Sequence, residues 1–359
     1  MMKHFSLSFK RNRLIILDQT KLPQRVIYKE IGDLRQAYDA IKKLMVRGAP
    51  LIGVFAAYSL YISIRNFKSK NTKRFLKQIL KNSRILKESR PTAVNLSWAL
   101  NRIEDITREN KNRPVAEIKK LIEKEAKTIH YEDVKLCENI GKNGVGLIKK
   151  KDAILTHCNT GFLATSGNGT ALSVIYKAYK KYPGLKIYAS ETRPLFQGAR
   201  LTTWELLSRK IEVILVTDNM ASFLIKQRGI NKVILGADRI TRSGYVANKI
   251  GTYNLAVICN YHKIPFYVAA PGSTFDLSLD KGKDIPIEKR NPEEVRNVFG
   301  KQIAPKKAAV WNPAFDVTPP ELITAIITEK GIIRPPYKRN IARVLRKTEN
   351  RVQSTEYRR

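Results

Sequence analysis

The sequence predicts an α/β fold: an N-terminal mainly helical domain with a few short strands, then a C-terminal Rossmann-like doubly wound parallel sheet. Three observations predict it. Residues 34–148 carry mostly helical periodicity. From residue 153 the rhythm turns to strand, turn, helix, with the short apolar runs AILTHC, KIYASE, EVILVT, KVILGA and FYVAAP. Such β-branched runs suit parallel strands covered on both faces. A length of 359 residues with 43% hydrophobic content allows about two domains, each with a sizeable core. The expected division is 1–150 helical, 151–336 Rossmann-like, and 337–359 a basic, partly disordered tail with few apolar anchors.

Residues 14–31 read as short strands around a turn at Leu22-Pro23-Gln24. Asp33 caps a helix that begins near Leu34. Residues 48–64, GAPLIGVFAAYSLYISI, hold no charge, but the run is short for a membrane span and contains Pro50 and Gly53. A buried helix is expected, and no membrane partner. Arg90-Pro91-Thr92 breaks the pattern before a helix carrying Val94, Leu96, Trp98, Leu100 and Ile103. Residues 115–148 form one or two amphipathic helices with Ile118, Leu121, Ile122, Ala126 and Ile129 on one face, and Lys149-Lys150-Lys151 marks the join to the second domain. Gly167-Asn168-Gly169 lacks the third glycine of a dinucleotide fingerprint, so no such site is expected.

The formal charge is +36, from 67 basic and 31 acidic residues. The basic residues are spread along the whole chain, which reads as compositional bias; the charge allows weak, salt-sensitive nonspecific nucleic-acid binding, but no specific nucleic-acid partner is expected. Three cysteines (Cys137, Cys158, Cys259) give no disulfide framework, and the four histidines have no ligand spacing, so no metal is expected. The sparse cysteines and the absence of a signal-peptide pattern point to a reducing, cytoplasmic compartment.

Chemistry concentrates at two strand ends. Thr156-His157-Cys158-Asn159-Thr160-Gly161 and Gly236-Ala237-Asp238-Arg239 each place a reactive group after an apolar run. Ligands of open α/β sheets bind at strand carboxyl ends. A thiol and a carboxylate meeting there can move a proton between two carbons. His157 points to the opposite face if its strand stays extended, and is expected to be structural.

The ordered motifs RGAPLIG (47–53), RPTAVNLSWAL (90–100), ILTHCNTGFLAT (154–165), GNGTALSVI (167–175), ETRPLFQGARLTTWEL (191–206), VTDNMA (216–221), GADRITRSGYVANKIGTYNLAV (236–257), IPFYVAAP (264–271) and NPAFDVTPPELITAIITEKGI (312–332) resemble the methylthioribose-1-phosphate isomerase family. The resemblance covers nearly all of residues 14–335. Its wider relatives are ribose-1,5-bisphosphate isomerase and the regulatory subunits of initiation factor 2B. Departures are small: Phe162 and Asn168 replace a small and an aromatic residue, and Asn219 replaces serine.

The resemblance implies conversion of 5-methylthioribose 1-phosphate to 5-methylthioribulose 1-phosphate, in methionine salvage, by a homodimer with no cofactor. It puts Cys158 and Asp238 at the acid/base places, and Arg47, Gly48, Ala49, Arg90, Gln197, Asn248 and Lys249 at the sugar-phosphate binding places. Those residue types fit the task. Arg47 and Arg90 offer guanidinium groups to phosphate, Gly48 allows close backbone approach, Lys249 adds a point charge, and Gln197 reaches a sugar hydroxyl. Asp238 is the candidate proton donor if burial holds it protonated, and Cys158 the candidate base if the following glycine-rich turn and helix lower its pKa. Arg193 and Glu191 are expected to pair and hold their loop. Ribose-1,5-bisphosphate isomerisation and a non-catalytic regulatory subunit remain the alternatives.

Overall fold

The computed structural model describes residues 4–91 and 93–346, and it has the α/β architecture expected. The chain forms two compact units: one runs up to Cys137 and also holds Gly161–Gly169, and the other holds Glu138–Thr160 and the chain from Thr170 on.

The first unit opens with an antiparallel sheet of β1 (Leu7–Lys10), β2 (Arg13–Leu17) and β3 (Tyr28–Ile31), with Leu7 opposite Ile16 and Leu14 opposite Ile31. Helices α1 (Leu34–Lys42), α2 (Ala49–Ile64), α3 (Thr72–Glu88), α4 (Val94–Glu109) and α5 (Val115–Gly144) follow. Asp33 caps α1 by accepting the Gln36 N–H at 2.8 Å, and Asn71 caps α3 by accepting the Arg74 N–H at 3.0 Å. The uncharged α2 is buried on nearly every side, as a helix without a polar face must be. It packs closely on α4, where a Cβ on Gly53 would lie 2.8 Å from the Asn95 carbonyl oxygen. No helix among the described residues is long and apolar enough to cross a membrane.

The second unit is built on a seven-stranded sheet. Its elements are β4 (Ala153–Thr156), α6 (Ala171–Lys181), β5 (Lys186–Ser190), α7 (Thr203–Ser208), β6 (Ile214–Val216), α8 (Ala221–Lys226), β7 (Lys232–Leu235), β8 (Arg239–Thr241), β9 (Val246–Lys249), α9 (Thr252–Tyr261) and β10 (Phe266–Ala269). There follow β11 (Phe275–Asp276), α10 (Glu293–Arg296), β12 (Asn297–Val298), β13 (Lys301–Gln302), β14 (Phe315–Thr318), β15 (Ala325–Thr328), β16 (Gly331–Ile333) and α11 (Tyr337–Arg346). The strand order is β16-β15-β10-β7-β4-β5-β6, parallel except for β16. Read from β6 to β15, this is the doubly wound order, and the connections change direction between β4 and β7.

Alternate strand residues enter two separate cores. Leu155, Val233 and Phe266 join α8, α9 and α11 on one face, while Ile154, Ile234 and Tyr267 join α6 and the end of α5 on the other. A smaller sheet, β11-β8-β9-β14, lies beyond β7, and β12 and β13 form a hairpin.

All five expected strands are present. Two expectations change. The run EVILVT is not covered on both faces: β6 is the sheet edge, where Ile214 and Leu215 are exposed. The segment from residue 337 begins as helix α11, because Tyr337, Ile341, Val344 and Leu345 recur at helical spacing and pack on the core. Residues 347–359 of the expected tail lie outside the described residues.

Candidate active site

In the second unit, β4 and β7 are hydrogen-bonded neighbours on either side of the point where the strand order reverses. Cys158 follows β4 by two residues, and Asp238 follows β7 by three. Adjacent strands lie about 4.8 Å apart, so the two residues follow the carboxyl ends of neighbouring strands.

Cys158 is 8% exposed and adopts a left-handed backbone conformation at φ 60°. That region costs a non-glycine residue about 1–2 kcal/mol, and two threonines hold it there. The Cys158 N–H donates to Thr192 Oγ1 at 2.9 Å, and Thr202 Oγ1 donates to the Cys158 carbonyl at 2.6 Å. Asn159 Nδ2 donates to the buried Glu205 carboxylate at 3.0 Å, which also accepts the Tyr176 hydroxyl at 2.6 Å. Thr202 ends a π-helical turn over Gly198–Thr202. The turn comes so close to β5 that a Cβ on Gly198 would fall 1.7 Å from the Ser190 carbonyl oxygen. Gln197 precedes this turn, and among the described residues its buried Oε1 has no hydrogen-bond partner, which leaves an acceptor for a hydroxyl of a ligand.

The His157 ring is buried and held at both nitrogens. Its Nε2 lies 2.9 Å from the Ile250 carbonyl and its Nδ1 2.6 Å from Ser190 Oγ. A carbonyl only accepts, so Nε2 carries the proton and Nδ1 accepts from the serine. Burial pushes the His157 pKa down, so the ring is neutral.

The 191–197 loop is held differently from the expectation. Asp218 accepts the Thr192 N–H at 2.9 Å and the Arg193 N–H at 2.8 Å. Arg193 donates to the Val295 carbonyl at 3.0 Å and stacks 5.0 Å over the Phe196 ring. Sequence proximity suggested Glu191 as its partner; the folded loop turns the guanidinium towards Phe196 and Val295 instead.

Asp238 is half-buried, and its N–H donates to Ala247 at 2.9 Å, which fixes it next to the end of β9. Asn248 and Lys249 end that strand, both buried. Asn248 Nδ2 donates to Thr252 Oγ1 at 2.9 Å; Lys249 Nζ donates to the Ala314 carbonyl at 2.9 Å and lies 4.8 Å over the Phe315 ring. Arg239 donates to Asp276 at 3.2 Å. Asp316 accepts the Gly251 and Tyr253 N–H groups at 2.7 and 3.0 Å, and burial raises its pKa to about 6.

The other expected binding residues belong to the first unit. Arg47 is 9% exposed, directly before Gly48 and Ala49, which open α2. Gly48 has φ 91°, and a Cβ there would lie 2.5 Å from Ala164 Cα, so only glycine fits. Its N-cap Gly48 offers no side-chain cap, and the 16 residues of α2 give its first N–H groups a positive dipole end suited to phosphate. Arg90 is half-buried in the turn between α3 and α4, its carbonyl accepting the Ala93 N–H at 3.1 Å. Among the described residues no group of His, Cys, Asp and Glu could hold a metal.

Sequence reasoning missed Thr192, Thr202 and Asp218. Threonines and aspartates at loop positions carry no signal beyond ordinary turn chemistry, and their partners lie 34 and 44 residues away for Thr192 and Thr202.

Comparison with known proteins agrees with the motifs. Residues 45–335 match the model of the Initiation factor 2 subunit family. The chain is 50% identical over 337 residues to 5-deoxyribose 1-phosphate isomerase of Clostridium botulinum (strain Loch Maree / Type A3), covering 94% of this chain and 97% of that one. It is 47% identical over 336 residues to methylthioribose-1-phosphate isomerase of Desulforamulus reducens, with the same coverage of both chains. A crystal structure of 5-methylthioribose 1-phosphate isomerase from Pyrococcus horikoshii OT3 superposes with a TM-score of 0.89 at 43% identity, covering 95% of this chain and 96% of that one. With its doubly wound sheet, its strand-end thiol and carboxylate and these matches along its length, the chain belongs to the Initiation factor 2 subunit family.

Proposed function

We propose that the chain is a sugar-phosphate isomerase that converts 5-methylthioribose 1-phosphate to 5-methylthioribulose 1-phosphate, a step of methionine salvage. The observation that carries this reading is the delivery of Cys158 and Asp238 from adjacent strands at the reversal of strand order. The C1 phosphate masks the aldehyde and keeps the ring closed. An acid first gives a proton to the ring oxygen as the C1–O bond breaks towards it. A base then takes the C2 proton, and the released electron pair closes a C1–C2 double bond. O2 gives up its proton, and C1 receives one; the net change moves one hydrogen from C2 to C1 and one proton from O2 to the former ring oxygen. Asp238 is assigned the donor role and Cys158 the base. Gln197, with its open acceptor, binds a sugar hydroxyl, and Asn248 and Lys249 lie beside Asp238 for the same ligand. Arg47, Gly48, Ala49 and Arg90 take the phosphate.

A second substrate has its own support. The relative at 50% identity is named for 5-deoxyribose 1-phosphate. That sugar undergoes the same chemistry and differs only in lacking the methylthio group. A coupled assay that compares kcat/KM for the two sugars and for ribose 1,5-bisphosphate tests the reading. The expected order puts methylthioribose 1-phosphate first and the bisphosphate last. Turnover of none of them would refute isomerase activity.

The active species is proposed to be a homodimer. Helix α9 contains no charged residue, in a chain where 27% of residues are charged, and Tyr253, Val257 and Tyr261 are exposed on it. An uncharged face lets a second copy of so basic a chain approach with little repulsion.

A further inference from the structure

Gln19 starts a single helical turn after β2. Asp18 fixes that turn by accepting the Thr20 N–H at 3.1 Å and hydroxyl at 2.6 Å, and by pairing with Lys29 at 2.8 Å. The Gln19 side chain is buried, with the residue 2% exposed, and its two ends bond in opposite senses. Its Oε1 accepts from Arg47 Nε at 3.1 Å, and its Nε2 donates to the Leu163 carbonyl at 2.6 Å. Among side chains of this length only a primary amide accepts from a guanidinium at one end and donates to a carbonyl at the other.

The Leu163 side of this link is firmly held. Gly161–Gly169 belongs to the first unit, where Ser6 Oγ donates to the Thr165 carbonyl at 2.9 Å and Asp133 accepts the Ser166 N–H at 2.5 Å. The segment starts three residues after Cys158, and its neck is closed by the Thr170 N–H donating to the Thr160 carbonyl at 2.8 Å. Gly48, next to Arg47, packs on Ala164 of the same segment.

We propose that Gln19 is a positioning residue for phosphate binding: its amide aims the Arg47 guanidinium and ties it to the segment that leads away from Cys158. A long arginine side chain loses considerable rotamer freedom when a ligand fixes it. An acceptor already holding Nε removes part of that cost before the phosphate arrives. The inference rests on Arg47 being a phosphate ligand, as assigned above.

The test is calorimetric binding of ribose 1-phosphate to the full chain, together with steady-state kinetics. Gln19→Met keeps length and volume but removes both bonds. Its Kd and KM are expected to rise about tenfold, with kcat within about threefold of the parent. Gln19→Glu still accepts from Arg47 but loses the bond to the Leu163 carbonyl and neutralises the guanidinium, so its Kd should rise as well. In an Arg47→Ala background, Gln19→Met should weaken binding no further. The proposal is overturned if Gln19→Met loses thermal stability at unchanged Kd, or if the two substitutions add. Should Gln19→Met fail to fold, a near-parental Kd in Gln19→Glu overturns it, and a rise that disappears in the Arg47→Ala background supports it. A parent protein that binds ribose 1-phosphate but turns over no sugar 1-phosphate would sink the isomerase reading while the binding cycle still decides the role of Gln19. A parent that does not bind it would overturn the role of Arg47, and this proposal with it.

Discussion

Cys158 shows how much one residue depends on neighbours distant in sequence. Its left-handed backbone is set by Thr192 and Thr202, not by its own preference. Thr192→Val keeps the shape but removes the acceptor of the Cys158 N–H. The expected result is a loss of about 1 kcal/mol in stability and about a tenfold fall in kcat, read by urea unfolding and initial rates. The thiol and the carboxylate were legible in sequence because each ends an apolar run. The clamp was not, since a threonine looks the same whether it holds a catalytic backbone or faces water. Gln19 was hidden for the same reason: nothing local distinguishes a buried bridging amide from a surface one.

At the scale of elements, strand identity was readable wherever apolar residues ran unbroken, as in AILT, KVIL and FYVA. The edge position of β6 was not, because edge and centre differ by what lies alongside, not by the run itself. The start of α11 was missed because its apolar positions are separated by lysine and arginine, which read as a polar tail. Helix α5 carries a device of its own. Asp133 is buried against the 161–169 segment, and burial, opposed by the Ser166 N–H, raises its pKa to about 6. The folded protein therefore holds a proton at Asp133 that the unfolded chain releases near pH 4. Its contribution to stability is full below about pH 4 and declines as pH rises to about 6. Asp133→Asn keeps an acceptor for Ser166 and removes the titration. Compared by urea unfolding, the variant should match the parent at pH 4 and exceed it at pH 7 by up to about 3 kcal/mol. A constant difference at both pH values would rule this out.

For the whole molecule, fold and family followed from the sequence because ordered motifs span nearly its whole length. Association belongs to this scale as well. Val257→Lys puts a charge on the exposed face of α9 without touching a core, and should convert a dimer to monomer in analytical ultracentrifugation. A parent that already sediments as a monomer would dismiss α9 as the contact. The account as a whole turns on the two strand-end groups sharing one sugar. The most direct measurement is turnover of methylthioribose 1-phosphate by the parent, Cys158→Ser and Asp238→Asn, with thermal melting of each. The parent should be active, and each variant should lose at least about a hundredfold to ten-thousandfold in kcat while melting within a few degrees of it. Near-parental activity in either well-folded variant would contradict the account.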